Sequence, residues 1–213
     1  MPGKGSAGRS APSAESSEQV VDRILAAAQE EFELVGIRRS SMSDIAKRAR
    51  LGRATVYRHF PGKENLVEAI GGREMMAVFG RVDAALANSE NAADAVVQLA
   101  VVSARELREN RLLNKLLATE PEEVYSYAAT SGGAALAVAR VFLVQHLGTL
   151  AAPDLPDDAH LEKAAEIMVR LAATQLLIPD GVIPYRDDTA VADFARQFFV
   201  PIVTGKMAQS VES

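Results

Sequence analysis

The sequence predicts an all-α fold of about nine or ten helices, with a three-helix N-terminal unit joined to a larger helical bundle. Three observations carry the prediction. Apolar residues recur at intervals of three and four along most of the chain. Capping residues and Gly/Pro breaks punctuate that pattern at helix lengths, not strand lengths. The β-branched stretch around Val96, Val97, Val101 and Val102 belongs to an apolar run far longer than a strand and without turn residues, so it too reads as helix.

Residues 1–17 are Gly, Ser, Ala and Pro with no apolar period and read as a disordered arm, whose Lys4 and Arg9 are its only basic residues. The first helix opens on Ser16 and Gln19, a capping box, and carries Val21, Ile24, Leu25, Ala28, Phe32 and Val35 up to Gly36. Ser41 with Asp44 starts a short second helix that must stop near Ala49, because a third runs from about Gly52 to Phe60. Pro61-Gly62 then breaks the chain, and Lys63 opens a long helix through Leu66, Ile70, Phe79, Val82 and Leu86. Further helices are expected at about 92–110, 111–118, 122–129, 134–148, 160–178 and 188–204. The breaks between them are Thr119-Glu120-Pro121, Ser131-Gly132-Gly133 and the Pro179-Asp180-Gly181 to Pro184 loop. The helices at 92–110, 134–148 and 160–178 are apolar on most of their circumference and are expected at the centre. Packing units of 18–65 and 66–213 follow.

The chain has 48% hydrophobic and 24% charged residues, an ordinary globular composition, and no cysteine, which excludes disulfides and thiolate metal sites. With no apolar run of membrane-span length read and no secretion signal, a cytoplasmic protein that crosses no membrane is expected. The net charge of −5 hides an asymmetry. Residues 1–65 hold 11 Lys+Arg against 8 Asp+Glu, and from Arg38 to Lys63 eight basic residues face one acid, Asp44. A basic module on an acidic body suits contact with phosphates. Two short helices separated by a three- or four-residue turn, the second one basic on its outer face, are the helix-turn-helix arrangement that enters a DNA major groove.

The run SMSDIAKRARLGRATVYRHFPGKENLVEAI, preceded by FELVG, resembles the DNA-binding domain of the TetR family over about residues 18–70. Thr55, Tyr57, His59, Phe60, Lys63, Glu64 and Leu66 fall on family positions in unbroken register. The resemblance implies a dimeric regulator of transcription, bound to double-stranded operator DNA and most often a repressor. It puts Arg53 and Ala54 at base edges, where a guanidinium fork suits guanine. Thr55, Tyr57, His59 and Lys63 take phosphate positions, Ser41 and Ser43 do likewise from the second helix, and Arg58 fits either role. Two residues depart from the pattern: Arg50 stands in the turn where glycine is common, and Gly52 where serine or threonine caps the third helix. A left-handed arginine would cost on the order of 1 kcal/mol.

The resemblance further implies a small-molecule effector held among the middle helices and a dimer formed through the last two. Met75, Met76, Phe79, Tyr125, Tyr127, Phe142, Met168, Thr174 and Gln175 are the candidates for an apolar cavity with a few polar groups. Aromatic residues make up only 5% of the chain, so a neutral, largely apolar effector is expected rather than a caged cation. Val191, Phe194, Phe198 and Ile202, with Ala195, form the stripe expected at the homodimer interface. No cofactor is expected. An enzyme finds little support: His59, His146 and His160 form no metal-binding pair, and there is no nucleophile elbow or Gly-rich phosphate loop. The acidic pairs Glu30-Glu31, Glu122-Glu123 and Asp157-Asp158 read as solvated surface.

Overall fold

The computed structural model describes residues 16–87, 89–149, 156–178, 181–183 and 185–206. The expected arm, but for Ser16 and Ser17, and Pro179, Asp180 and Pro184 of the last break lie outside the described residues. Helices run α1 (Ser17–Val35), α2 (Met42–Arg48), α3 (Arg53–His59), α4 (Lys63–Leu86), α5 (Ala92–Glu109), α6 (Arg111–Thr119), α7 (Pro121–Thr149), α8 (Asp158–Leu177), α9 (Asp188–Phe194) and α10 (Val200–Thr204). A π-helical turn, Ala195–Phe199, joins the last two. There is no strand among the described residues.

Local chemistry sets the ends. Ser16 and Gln19 form the expected reciprocal cap of α1, at 2.9 and 3.2 Å, and Gly36 at φ 88° closes it. Asn91, Asn110, Asp157 and Asp187 cap α5, α6, α8 and α9 by accepting from the amide three residues on. Asp157 is therefore a capping group rather than idle surface.

The expected break at Ser131-Gly132-Gly133 does not occur, and one helix spans Pro121–Thr149. Glycine weakens a helix by about 1 kcal/mol but does not remove a hydrogen-bond donor as proline does. Packing at both ends overrides that cost: Val124 sits in one core, Leu143 and Leu147 in another. Ser131 also donates to Glu68 of α4 at 3.3 Å. This helix does not take the central place expected from the apolar circumference of 134–148. By length and composition it could cross a membrane, yet almost none of its most apolar stretch is buried, and Val138 and Val141 are exposed.

Two main cores organise the chain. The first gathers Ile24, Phe32, Ile45, Val56, Phe60, Leu66 and Ile70 from α1 to α4, and takes in Leu112 and Leu116 of α6 and Val124 of α7. The second joins Val82 and Leu86 of α4 to α5, α7, α8 and Val203 of α10. The long α4 thus runs from one core into the other, and the N-terminal core continues past residue 65 into α6.

The last helix corrects the expected stripe. A π-turn adds one residue per turn, so it rotates the positions after it out of a 3.6-residue register. Val191, at 4% exposure, packs with Val97, Ala100 and Ala104 of α5, beside Ala192 and Ala195, in the protomer's own core. Ile202 packs against the second core. Phe194 stays half-buried in an aromatic cluster with Phe198 and Phe199, and Phe198 is 46% exposed.

Candidate nucleic-acid interface

The eight basic residues between Arg38 and Lys63 divide into two groups of four. Arg38 pairs with Glu122 of α7 at 2.5 Å, and Arg39 donates to Val35 O at 2.8 Å. Arg48 holds the buried Glu31 at 2.7 Å and lies 3.6 Å from Glu30, which raises the guanidinium pKa through the Glu31 hydrogen bond. Of the pair read as solvated surface, Glu31 is therefore a buried structural partner, while Glu30 stays exposed. The fourth is Lys63. Its ammonium donates to Ile37 O (2.7 Å), Ser40 O (3.0 Å) and Arg38 O (3.3 Å), closing the α1–α2 connection onto α4. That engagement turns the side chain onto these carbonyls in the protomer.

Lys47, Arg50, Arg53 and Arg58 remain, all exposed and without an ion pair or side-chain hydrogen bond among the described residues. They sit on the end of α2, the turn and α3. Tyr57 and Ala54 are exposed beside them, Thr55 and His59 half-buried. Ser41 and Ser43 are half-buried at the start of α2. The Ser41 hydroxyl accepts from Asp44 N at 3.1 Å and donates to the Asp44 carboxylate at 2.5 Å, so it is spent as a cap.

The turn keeps its left-handed residue. Arg50 has φ 53°, the single positive φ outside glycine among the described residues. The departure from glycine therefore costs strain, not shape. Arg23 of α1 braces the turn: Nε and Nη2 donate to Ala49 O at 3.2 and 3.0 Å, and Nη2 to Arg50 O at 3.3 Å.

Residues outside the motif fix the head to the rest of the chain. Glu120, 6% exposed, accepts from Ile37 N at 2.8 Å and Arg38 N at 3.2 Å. Gly36 lies so close that a Cβ there would collide with the Glu120 carboxylate. Lys115 of α6 donates to the α1 carbonyls of Glu33 and Leu34. Sequence reasoning missed Arg23, Lys115 and Glu120, because nothing local marks a carboxylate whose partners stand more than 80 residues away.

The expected effector residues are scattered. Phe79 and Phe142 stack at 4.1 Å with His146 beside them, and His146 Nε2 lies 2.8 Å from Asp83 Oδ1. Met168 is buried in the second core, Met75 is half-buried, and Met76 (61%) and Tyr125 are exposed. Tyr127 lays its hydroxyl over Gly71, with its pKa raised by burial and by Glu68. Thr174 donates to Arg170 O. Gln175 lines a cavity of about 260 Å³ together with Leu107, Asn114, Leu117, Ala118, Leu176 and Tyr185. Its Oε1 is buried there without a partner.

A braced two-helix motif bearing unpaired cations, mounted on a larger helical body, defines a helix-turn-helix transcription regulator. Comparison with known proteins supplies the family. The family model "Bacterial regulatory proteins, tetR family" matches residues 24–70. An uncharacterized HTH-type transcriptional regulator of Mycobacterium tuberculosis is 30% identical over 192 residues, covering 90% of this chain and 89% of that protein. The chain belongs to the TetR family. Its fold is shared by the TetR family repressor AlkX of Dietzia sp. (TM-score 0.66, 18% identity, 88% of this chain and 95% of that one). GusR of Salmonella enterica is similar too (TM-score 0.60, 20% identity, 88% and 97%). These relatives are regulators of transcription, not enzymes.

Proposed function

We propose that the protein is a homodimeric repressor that leaves its operator when a small, largely apolar effector enters the body. One observation carries the DNA half of this reading: of eight clustered cations, Lys47, Arg50, Arg53 and Arg58 have no ion pair or side-chain hydrogen bond among the described residues. Unpaired surface cations are hydrated and ready to exchange counterions for phosphates. Arg53, the first residue of α3, is the base reader in this scheme, and Tyr57, Thr55 and Arg58 meet the backbone.

The effector half draws support from α6. Leu112 and Leu116 on this helix belong to the head core, while Asn114, Leu117 and Ala118 line the cavity. Lys115 grips α1 between them. A ligand that displaces α6 changes the hold on the head, and two heads must stand about 34 to 36 Å apart to occupy successive major grooves. The cavity is just below the roughly 300 to 1,000 Å³ of drug-sized ligand pockets, which fits a small effector. The unpaired Gln175 oxygen asks for a ligand with one hydroxyl or N–H donor.

For the dimer, Phe198 on the last helix, Val138 and Val141 on α7 and Ile167 on α8 are large apolar side chains left exposed in the protomer. A second copy of the chain covers them in this reading, and the protein works in the cytoplasm. Phe198→Asp and Val141→Asp should each shift the mass in light scattering toward the monomer. If only Val141→Asp does so, the interface lies on α7 and the last helix is excluded.

The test of function is selection of fragmented genomic DNA on the purified protein at 0.1 M salt, with random duplex as competitor. Enrichment of a discrete fragment supports the reading. Retention of no fragment above the random duplex overturns it.

A further inference from the structure

Arg50 combines three properties that no structural role explains. It holds a left-handed backbone, which glycine adopts without strain and arginine does not. Its guanidinium is exposed and makes no hydrogen bond or ion pair among the described residues. It borders an open groove of about 400 Å³ between α1 and the turn, lined also by Arg23, Ala26, Ala27, Glu30, Arg48 and Ala49. Within that groove Arg23 is spent on the turn carbonyls and Arg48 on Glu31 and Glu30, so the uncommitted charge belongs to Arg50. A strained residue braced in place by its neighbours, with an idle functional group, points to work done on another molecule.

We propose that Arg50 is a DNA-phosphate ligand, one in each head, flanking the step that Arg53 reads. This rests on the DNA-binding reading above. The spacing supports it: three residues of extended chain put Arg50 Cα at most about 11 Å from that of Arg53. B-DNA presents a phosphate on each strand every roughly 3.4 Å of helix axis, so a long cation at that distance from a base contact meets the groove wall. Glycine in the same turn supplies the conformation without the charge. The arginine accepts strain and adds a contact independent of base sequence.

The test uses the full chain and a fluorescently labelled 30-base-pair duplex of random sequence, titrated at several KCl concentrations. Each phosphate contact contributes about 0.9 to the slope of log affinity against log salt. Arg50→Gly and Arg50→Ala should each lower that slope by about 0.9 per head, and weaken binding about 8-fold per head at 0.1 M salt. Arg50→Lys, which keeps the charge, should retain the slope. Arg50→Gly should melt no lower than the parent protein, because it relieves the left-handed strain. An unchanged slope in both neutral variants overturns the proposal, as does a loss of affinity that Arg50→Lys shares, which would make Arg50 a shaper of the turn. If the parent protein itself binds the duplex with no salt dependence, the DNA-binding reading fails first.

Discussion

Glu120→Ala isolates the joint between head and body. The carboxylate is buried and accepts two backbone amides, Ile37 N at 2.8 Å and Arg38 N at 3.2 Å, just where α1 ends at Gly36. Removing it leaves one buried and one partly buried N–H without an acceptor. Each such group costs about 1 to 3 kcal/mol, the partly buried Arg38 amide about 1, so the pair is worth roughly 2 to 4 kcal/mol. For a chain of this length 1 kcal/mol moves the midpoint by about 2 to 4 °C, which puts the expected loss at roughly 5 to 15 °C. Thermal unfolding followed by far-UV circular dichroism measures it. Glu120→Gln keeps an acceptor oxygen without the charge and should lose about half as much. Amide exchange at Ile37 should accelerate in the alanine variant. A melting point within 1 °C of the parent, with Ile37 still protected, would refute the assignment of this carboxylate as the clamp.

Lys63→Ala should cost about 1 to 3 kcal/mol of stability through three unanswered carbonyls and leave the salt slope of DNA binding unchanged. A lower slope at full stability would return Lys63 to the phosphates. Gly133→Ala should stabilise the protein by about 0.5 to 1 kcal/mol, since the site is mid-helix and open; a lower melting point would mean that α7 breaks there. Hydrogen bonds from Arg105 and then Arg108 hold the Asp188 carboxyl below its usual range. Its stabilising effect is therefore present above about pH 4 and lost as pH falls through the depressed folded-state value. Asp188→Asn should melt below the parent at pH 7, with the gap closing as pH falls well below 4; a constant gap would exclude the ion pair as the cause. Arg53→Ala should cost about 1 to 3 kcal/mol on the selected operator and much less on random duplex, and equal losses on both would make Arg53 a backbone contact.

The local code by itself determined the helices, their caps and the helix-turn-helix. Each is written in residues a few positions apart: Ser16 with Gln19, Ser41 with Asp44, the short basic α3 after its turn. The family register of Thr55 to Leu66 was legible for the same reason. Partnership was not legible, because charge at a position does not say what answers it. Arg38, Arg48, Arg53 and Lys63 look alike in sequence, and only the fold assigns three of them to Glu122, Glu31 and the α1–α2 carbonyls while leaving Arg53 unpaired. Packing likewise decided that α7 runs through two glycines, because burial at its two ends outweighs a local weakness near its middle. It also buried Val191 against α5 and turned the last helix by one residue at Ala195–Phe199, leaving Phe198 exposed. Periodicity assumes a uniform helix, and a single π-turn breaks that assumption. The effector candidates scattered for a related reason. An apolar residue at helical spacing records only that it faces something, and whether that is a neighbouring helix or an empty space is settled when all the helices have packed.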